Sequence, residues 1–234
     1  IFAQNQTDNI SNNVVGNSNF EVKLTDDLSF KTLLGIEYAY TLVDYYSPII
    51  FPNDRGYASQ TTYYRSSFLN ENTLRYNKTF SDIHNLSVVA GYTYQTDMNR
   101  SFGVSVNGFS NNTTRNYNLG AAETIGTPGS GISEWTLASW LARANYSFDD
   151  RYLLTVSMRT DGSSRFGTNN KWAVFPSAAI GWRISEEAFM SNVSAVSDLK
   201  LRASYGITGN TALSPYQSLD RMSSVRAIYA DQKF

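Results

Sequence analysis

The sequence predicts an all-β protein, an antiparallel barrel that crosses a membrane on its strands. Three observations predict it. Apolar and polar residues alternate with period two through successive runs, and in the best-patterned runs every charge keeps to one phase. The connections between runs alternate between short and long. Aromatic residues recur at a spacing that fits the thickness of a bilayer core.

The runs read as about eight strands. Residues 14–25 place Phe20, Val22 and Leu24 on one face and Glu21 and Lys23 on the other. Asp26 and Asp27 mark a tight turn. Residues 28–45 follow, with Leu28, Phe30, Leu34, Ile36, Tyr38 and Tyr40 outward and Lys31, Gly35 and Glu37 inward. Residues 47–60 form a loop rich in Pro, Asn, Asp and Gly. The run at 62–80 is the least regular and carries Lys78 on its outward face. A turn at 81–85 leads to 86–106, where Leu86, Val88, Ala90, Tyr92 and Tyr94 align.

A long loop at 107–133 precedes the run 134–148, with Trp140, Ala142, Ala144, Tyr146 and Phe148 opposed to Arg143, Asn145 and Ser147. After Asp149 and Asp150 come Tyr152, Leu154, Val156 and Met158 against Thr155, Ser157, Arg159 and Asp161. Trp172, Val174, Pro176, Ala178, Ile180, Trp182 and Ile184 then oppose Ser177, Gly181 and Arg183. Residues 185–197 hold a helical turn at 186–190. The last clear run sets Leu199, Leu201, Ala203, Tyr205 and Ile207 against Lys200, Arg202 and Ser204. Residues 211–234 read as a loop entering a ninth strand.

Short connections at 26–27, 81–85 and 149–150 alternate with long ones at 47–60, 107–133, 163–171 and after 210. That asymmetry belongs to outer-membrane barrels, whose periplasmic turns are short and whose extracellular loops are long. It predicts Gly56, Gly120 and Gly167 outside the cell and Asp27, Asp82 and Asp150 in the periplasm. The insert at 185–198 is the exception on the short side. Phe30 to Tyr40 and Trp172 to Trp182 are each ten residues apart. On a tilted strand that rise spans roughly 25 Å, the height of a lipid-facing band.

Composition narrows the function. The 234 residues carry a formal net charge of -1, which is no footprint for nucleic acid. With no Cys there is neither a disulfide framework nor a thiolate metal site. Aromatics reach 14% of residues, which suits interfacial girdles. No apolar run is long enough for a transmembrane helix. The mean hydropathy of -0.34 does not exclude a barrel, because half of each strand faces a polar lumen. No basic, apolar leader precedes the first strand, so the chain reads as an internal fragment or a processed protein.

No catalytic, metal or cofactor site is expected. The sole histidine, His84, lies beside Asp82 and reads as a solvated turn residue. The pairs Asp26–Asp27 and Asp149–Asp150 are explained by turn chemistry, because adjacent strand residues point to opposite faces. The GTPGSG run at 126–131 lacks the Lys and helix of a phosphate loop. Asp161, Gly162, Ser163 and Ser164 lack the further acidic ligands of a Ca²⁺ loop. They read as a hairpin tip with Asp161 capping and Gly162 at positive φ, and Arg165 pairing with Asp161 or with lumen carboxylates. The inward set Lys31, Glu37, Arg75, Arg143, Arg159, Arg183, Lys200 and Arg202 leans basic. Tyr45, Tyr46, Phe51 and Tyr57 sit at a loop mouth, where they either stack on sugar rings or pack the loop.

Residues 159–210 carry a resemblance. The run R-x-DGSSRFG-x-N-x-W-x-x-FPS-x-x-x-GW-x-x-SEE-x-F comprises Arg159, Asp161, Gly162, Ser163, Ser164, Arg165, Phe166, Gly167, Asn169, Trp172, Phe175, Pro176, Ser177, Gly181, Trp182, Ser185, Glu186, Glu187 and Phe189. It is followed by SDLKLRASYGITGN. This resembles the barrel of SusC/RagA-type TonB-dependent outer-membrane transporters of Bacteroidetes. The resemblance implies that residues 1–234 are part of one barrel domain of about 22 strands, without its plug domain or C-terminal strands. It implies import of glycan oligosaccharides or peptides, a SusD-like surface lipoprotein as cap, and the TonB complex acting through the plug. It makes outer-membrane lipid the outward contact, and Arg159 to Gly167 a structural rather than binding motif. Against it stand a secreted β-sandwich carbohydrate-binding module, whose outward Leu, Val and Trp would pack under a second sheet, and a passive porin or adhesin barrel.

Overall fold

A computed structural model describes residues 5–167, 169–191, 195–210 and 213–218. Its strands are β1 (Gln6–Lys23), β2 (Leu28–Ser47), β3 (Tyr57–Phe80), β4 (His84–Asn107), β5 (Thr124–Ile125), β6 (Gly129–Phe148), β7 (Tyr152–Ser163), β8 (Trp172–Arg183) and β9 (Lys200–Gly206). They form one antiparallel sheet in the order β1-β2-β3-β4-β6-β7-β8-β9, with the short β5 paired to the end of β4. Apart from the short β5, each neighbour in space is the neighbour in sequence, the meander of an up-and-down barrel wall. The sheet is open, and no second sheet covers it among the described residues. The sandwich alternative falls on this point.

The pairing register decides the faces. Residues opposite each other in a ladder point the same way. Phe30 pairs Leu74, then Ala90, Ala142, Met158 and Pro176 in succession. The apolar sets predicted strand by strand therefore lie on one continuous face. Their exposure is the reverse of a water-soluble protein's. Met158, Ile180 and Leu201 are 54%, 62% and 61% exposed, while their polar neighbours Ser157 and Gly181 are half-buried. Apolar groups facing outward in this proportion need lipid as their solvent.

The aromatic spacing acquires a geometry. For strands about 4.8 Å apart and tilted about 40°, a constant membrane height climbs by about 1.2 residues per strand. The five steps from β8 to β2 then amount to about six residues. The row through Phe30 meets β8 at Pro176, six residues from Trp182. Phe30 and Trp182 thus share a height, and so do Tyr40 and Trp172. Tyr152, Tyr146 and Tyr76 fall near the same lower line on the intervening strands.

Between the two lines, one polar knot faces outward. Thr32 Oγ1 donates to Asn72 Oδ1 (2.9 Å), Asn72 Nδ2 to Asn70 Oδ1 (2.6 Å) and Asn70 Nδ2 to the Leu33 carbonyl (3.3 Å). Lipid supplies no partners, so these groups satisfy one another.

Strands run longer than the alternation predicts. β1 begins at Gln6, β3 at Tyr57 and β6 at Gly129. The added segments lie at the long-loop end and are rich in Asn, Ser, Thr and Gly. Where both faces are wet, pairing continues but alternation has no cause. The loop at 107–133 also holds two 3₁₀ turns, Arg115–Tyr117 and Leu119–Ala121. It folds over the outward side of the strand ends. There Tyr46, Ala58, Val106 and Phe109 form the buried cluster.

Asp149 and Asp150 both adopt positive φ, as do Ser81 and Asp82. Short polar side chains tolerate that conformation in tight hairpins. At 24–27 the device differs: Thr25 Oγ1 accepts from the Asp27 and Leu28 amides. Lys78, the outward charge, reaches Asp27 in that turn and so leaves the lipid band. The insert holds two 3₁₀ turns, Ile184–Glu186 and Ala188–Met190. Residues 219–234, expected to enter a ninth strand, lie outside the described residues.

His84 corrects its prediction. It begins β4 on the outward face instead of standing solvated in the turn. Its ring lies 5.0 Å from that of Phe148, and Nδ1 hydrogen-bonds the Tyr146 hydroxyl at 2.7 Å. It belongs to the aromatic band at the short-turn end of the sheet.

Candidate functional site

The inner wall, the long loops and the 159–167 segment hold the polar clusters of the sheet. The inner wall is polar by register. Arg65 Nε donates to Asp97 Oδ2 (2.9 Å) and its Nη1 to Glu37 Oε1 (3.3 Å), while Asn99 Nδ2 holds Asp97 Oδ1 (2.6 Å). Asp97 is only 4% exposed, and a buried carboxylate needs this pairing. Sequence reading named Glu37 but missed Arg65, Asp97 and Asn99. Arg65 lies in the irregular 62–80 run and takes its inward phase from the register with β2, and Asp97 and Asn99 share the inward phase of β4.

The motif residues lie differently from the expected hairpin tip. Asp161, Gly162 and Ser163 are within β7, and Gly162 has no positive φ. Asp161 does not cap a turn: it accepts from Arg159 Nε at 2.7 Å. Arg159 Nη2 also donates to the buried Ser139 (3.1 Å). Gly162 pairs Trp172, and a Cβ there would meet the indole at 2.7 Å. The glycine is required by the ring, not by a turn. Ser164 then ties the loop to β6, its amide donating to the Thr136 carbonyl and its Oγ accepting from the Thr136 amide. Arg165 lies over the Trp135 ring at 4.1 Å, a cation–π contact. Phe166 N donates to the Ser163 carbonyl, and Gly167 follows in the loop.

The four mouth aromatics separate. Tyr46 is buried at 3%, its hydroxyl donating to Asn112 Oδ1 (2.7 Å) under the 108–123 loop. It packs the loop and presents no face to a ligand. Tyr45 and Tyr57 share the inner face and meet edge-on at 5.8 Å. Phe51 stands 66% exposed at the loop tip.

At the opposite end, Glu187 fastens the insert to the wall. Its Oε1 accepts from Trp182 Nε1 (2.9 Å) and the Tyr152 hydroxyl (2.7 Å), and Arg151 approaches Oε2 at 3.6 Å. The indole N–H first, then the phenol, hold this carboxyl below the usual carboxylate range. A depressed folded value means the contribution is present above the unfolded carboxylate range and is lost as pH falls through the folded value. Glu187→Gln should therefore lower the denaturant midpoint of the barrel at neutral pH. The gap to wild type should close on acidification. A gap independent of pH would remove the charge from the explanation.

The family model described as TonB dependent receptor-like, beta-barrel matches residues 2–226. The chain belongs to this family. TonB-dependent receptor P3 of Formosa agariphila is 38% identical over 211 residues, 89% of this chain and 21% of the relative. TonB-dependent receptor SusC of Bacteroides thetaiotaomicron is 57% identical over 74 residues, 32% of this chain and 7% of SusC. The RagAB peptide importer in its closed-closed state superposes with a TM-score of 0.83 at 26% identity, over 91% of this chain and 24% of that one. The chain spans about a fifth of the length of the curated Formosa agariphila relatives it matches. As a TonB-dependent receptor segment it is part of a β-barrel of the bacterial outer membrane.

Proposed function

We propose that the whole protein imports glycan oligosaccharides or peptides across the outer membrane, driven by the TonB complex acting on a plug domain. A SusD-like surface lipoprotein caps the barrel. Residues 1–234 supply barrel wall and extracellular loops and carry out no catalytic step. The observation that carries this reading is the wall itself: one open sheet, lipid-facing outside and charged inside, superposing on a peptide importer over nearly its whole length. In this reading Tyr45, Tyr57 and Phe51 are the mouth aromatics that meet substrate, and the 159–167 segment is structural. Outer-membrane lipid is the outward contact, and no nucleic acid is bound.

The test is uptake of labelled peptides and oligosaccharides by cells carrying the full receptor. Import should disappear both when the receptor is deleted and when TonB is lost. Uptake that survives loss of TonB would make the barrel a passive pore.

A further inference from the structure

The cations of the strands keep to the inward face with two exceptions. By register only Lys78 and Arg100 point outward. Lys78, at the short-turn end, reaches Asp27. Arg100 is exposed, and no carboxylate of the described residues lies within ion-pairing distance of it. Glu134, the outward carboxylate nearest in register, is its diagonal neighbour across the β4–β6 ladder and does not pair with it.

The ladder sets the height of Arg100. The row through Tyr40 passes Tyr64 and meets β4 at Arg100. Two strand steps raise that row by about 2.4 residues, so Arg100 stands roughly 6 Å beyond the upper aromatic line. That is the depth of lipid headgroups, just outside the hydrocarbon core. Arg100 opens a groove of about 550 Å³ with Tyr40, Thr62, Tyr64, Phe102 and Ile132 along it. Thr62 Oγ1 is committed to the Phe102 carbonyl at 3.3 Å. Among the described residues lining the groove, Arg100 alone is charged. Tyr38 meets Tyr64 edge-on at 5.0 Å, and Tyr38, Ile36 and Phe68 stand exposed below on the same face.

We propose that Arg100 and this groove bind a phosphorylated lipid of the leaflet at the long-loop end, the outer leaflet for an outer-membrane barrel. The phosphate lies on the guanidinium, and an acyl chain descends along Tyr64, Tyr38 and Phe68. A planar guanidinium can donate two parallel hydrogen bonds to phosphate, and cationic pockets at a bilayer surface recognise lipid headgroups in this way. The tyrosines give the chain an apolar wall while their hydroxyls stay near water. Because the groove opens on the bilayer, lipid reaches it without the matching protein surface that a second copy of the chain would have to bring. The inference concerns the outward face and stands apart from the transporter reading.

The experiment uses the full receptor, stripped of lipid in a neutral detergent and titrated with lipid A or with dephosphorylated lipid A. The readout is the lipid-bound fraction by native mass spectrometry. Wild type should bind lipid A several-fold more tightly than the dephosphorylated form. Arg100→Gln should abolish that preference and Arg100→Lys should keep part of it, with heat-modifiable migration unchanged. Arg143→Gln, which removes an inward charge, should leave the preference intact. Equal binding of the two lipids by wild type would overturn the proposal whether or not any variant folds. So would a preference that survives in Arg100→Gln, or one that falls equally in Arg143→Gln. Displacement of the lipid by inorganic phosphate alone would make this a site for free anions and overturn the lipid assignment. A smaller oligomer in Arg100→Gln with lipid binding intact would give the groove to a second copy of the chain.

Discussion

Met158→Arg should destabilise the membrane-inserted barrel by about 2–4 kcal/mol, while Ser157→Arg one residue away should cost about 1 kcal/mol or less, for facing Arg143 across the ladder in the wet lumen. Met158 is 54% exposed on the outward face. It lies six residues above Tyr152 on β7, close to half-way between the two aromatic lines. Its ladder neighbours are Ala142 and Pro176, so nothing beside it can pair with a guanidinium. An arginine there must stand in hydrocarbon or distort the bilayer. Ser157 faces the lumen, where it hydrogen-bonds Ser177 at 2.6 Å. The native Arg159 occupies that same inward phase and is paired to Asp161. The check is denaturant unfolding of the full barrel in lipid. Equal costs at 157 and 158 would reverse or abolish the face assignment.

The outward face was legible because an apolar medium on one side and water on the other impose period two, and the crossing runs other than the irregular 62–80 display it. The strand ends beyond the bilayer were not legible. Residues 6–13, 57–61 and 129–133 are paired in the sheet, but they lie beyond the lipid, with water or, at Ala58, the folded-over loop against them, and no pattern marks them. His84 was misplaced for a related reason. A polar residue next to Asp82 reads as turn, yet its ring joins the aromatic row and Tyr146 satisfies its nitrogen.

The inner wall was legible in sign and not in pairing. Alternation placed Glu37, Arg143 and Arg159 inward correctly by register. Which charge meets which depends on cross-strand register, and no single strand encodes that. Arg65 finds Asp97 across 32 residues of sequence. The turn assignment of Gly162 failed because glycine has two uses: positive φ at a turn, or the absence of a Cβ at a close approach. The second applies here, and only the position of Trp172 reveals it.

That assignment carries the other large effect. Gly162→Ala should cost about 1–3 kcal/mol, and Gly162→Val at least as much. The added Cβ would stand 2.7–2.8 Å from three atoms of the Trp172 indole, closer than any van der Waals contact allows. Either the ring leaves its seat on the strand or the β7–β8 ladder opens. The ladder end is held by Ser163 N donating to the Lys171 carbonyl at 2.9 Å, so the ring is the softer element. Trp172 then loses its contact over the Gly162 backbone, the aromatic cover that stabilises a glycine in a sheet. If the clash is the cause, the cost should vanish when the ring is absent. Gly162→Ala in a Trp172→Ala background should be close to neutral, leaving a coupling comparable to the single-mutant cost. The measurement is a double-mutant cycle on unfolding free energies of the full barrel. Additive costs would mean that Gly162 is needed for its backbone conformation and not for the indole above it.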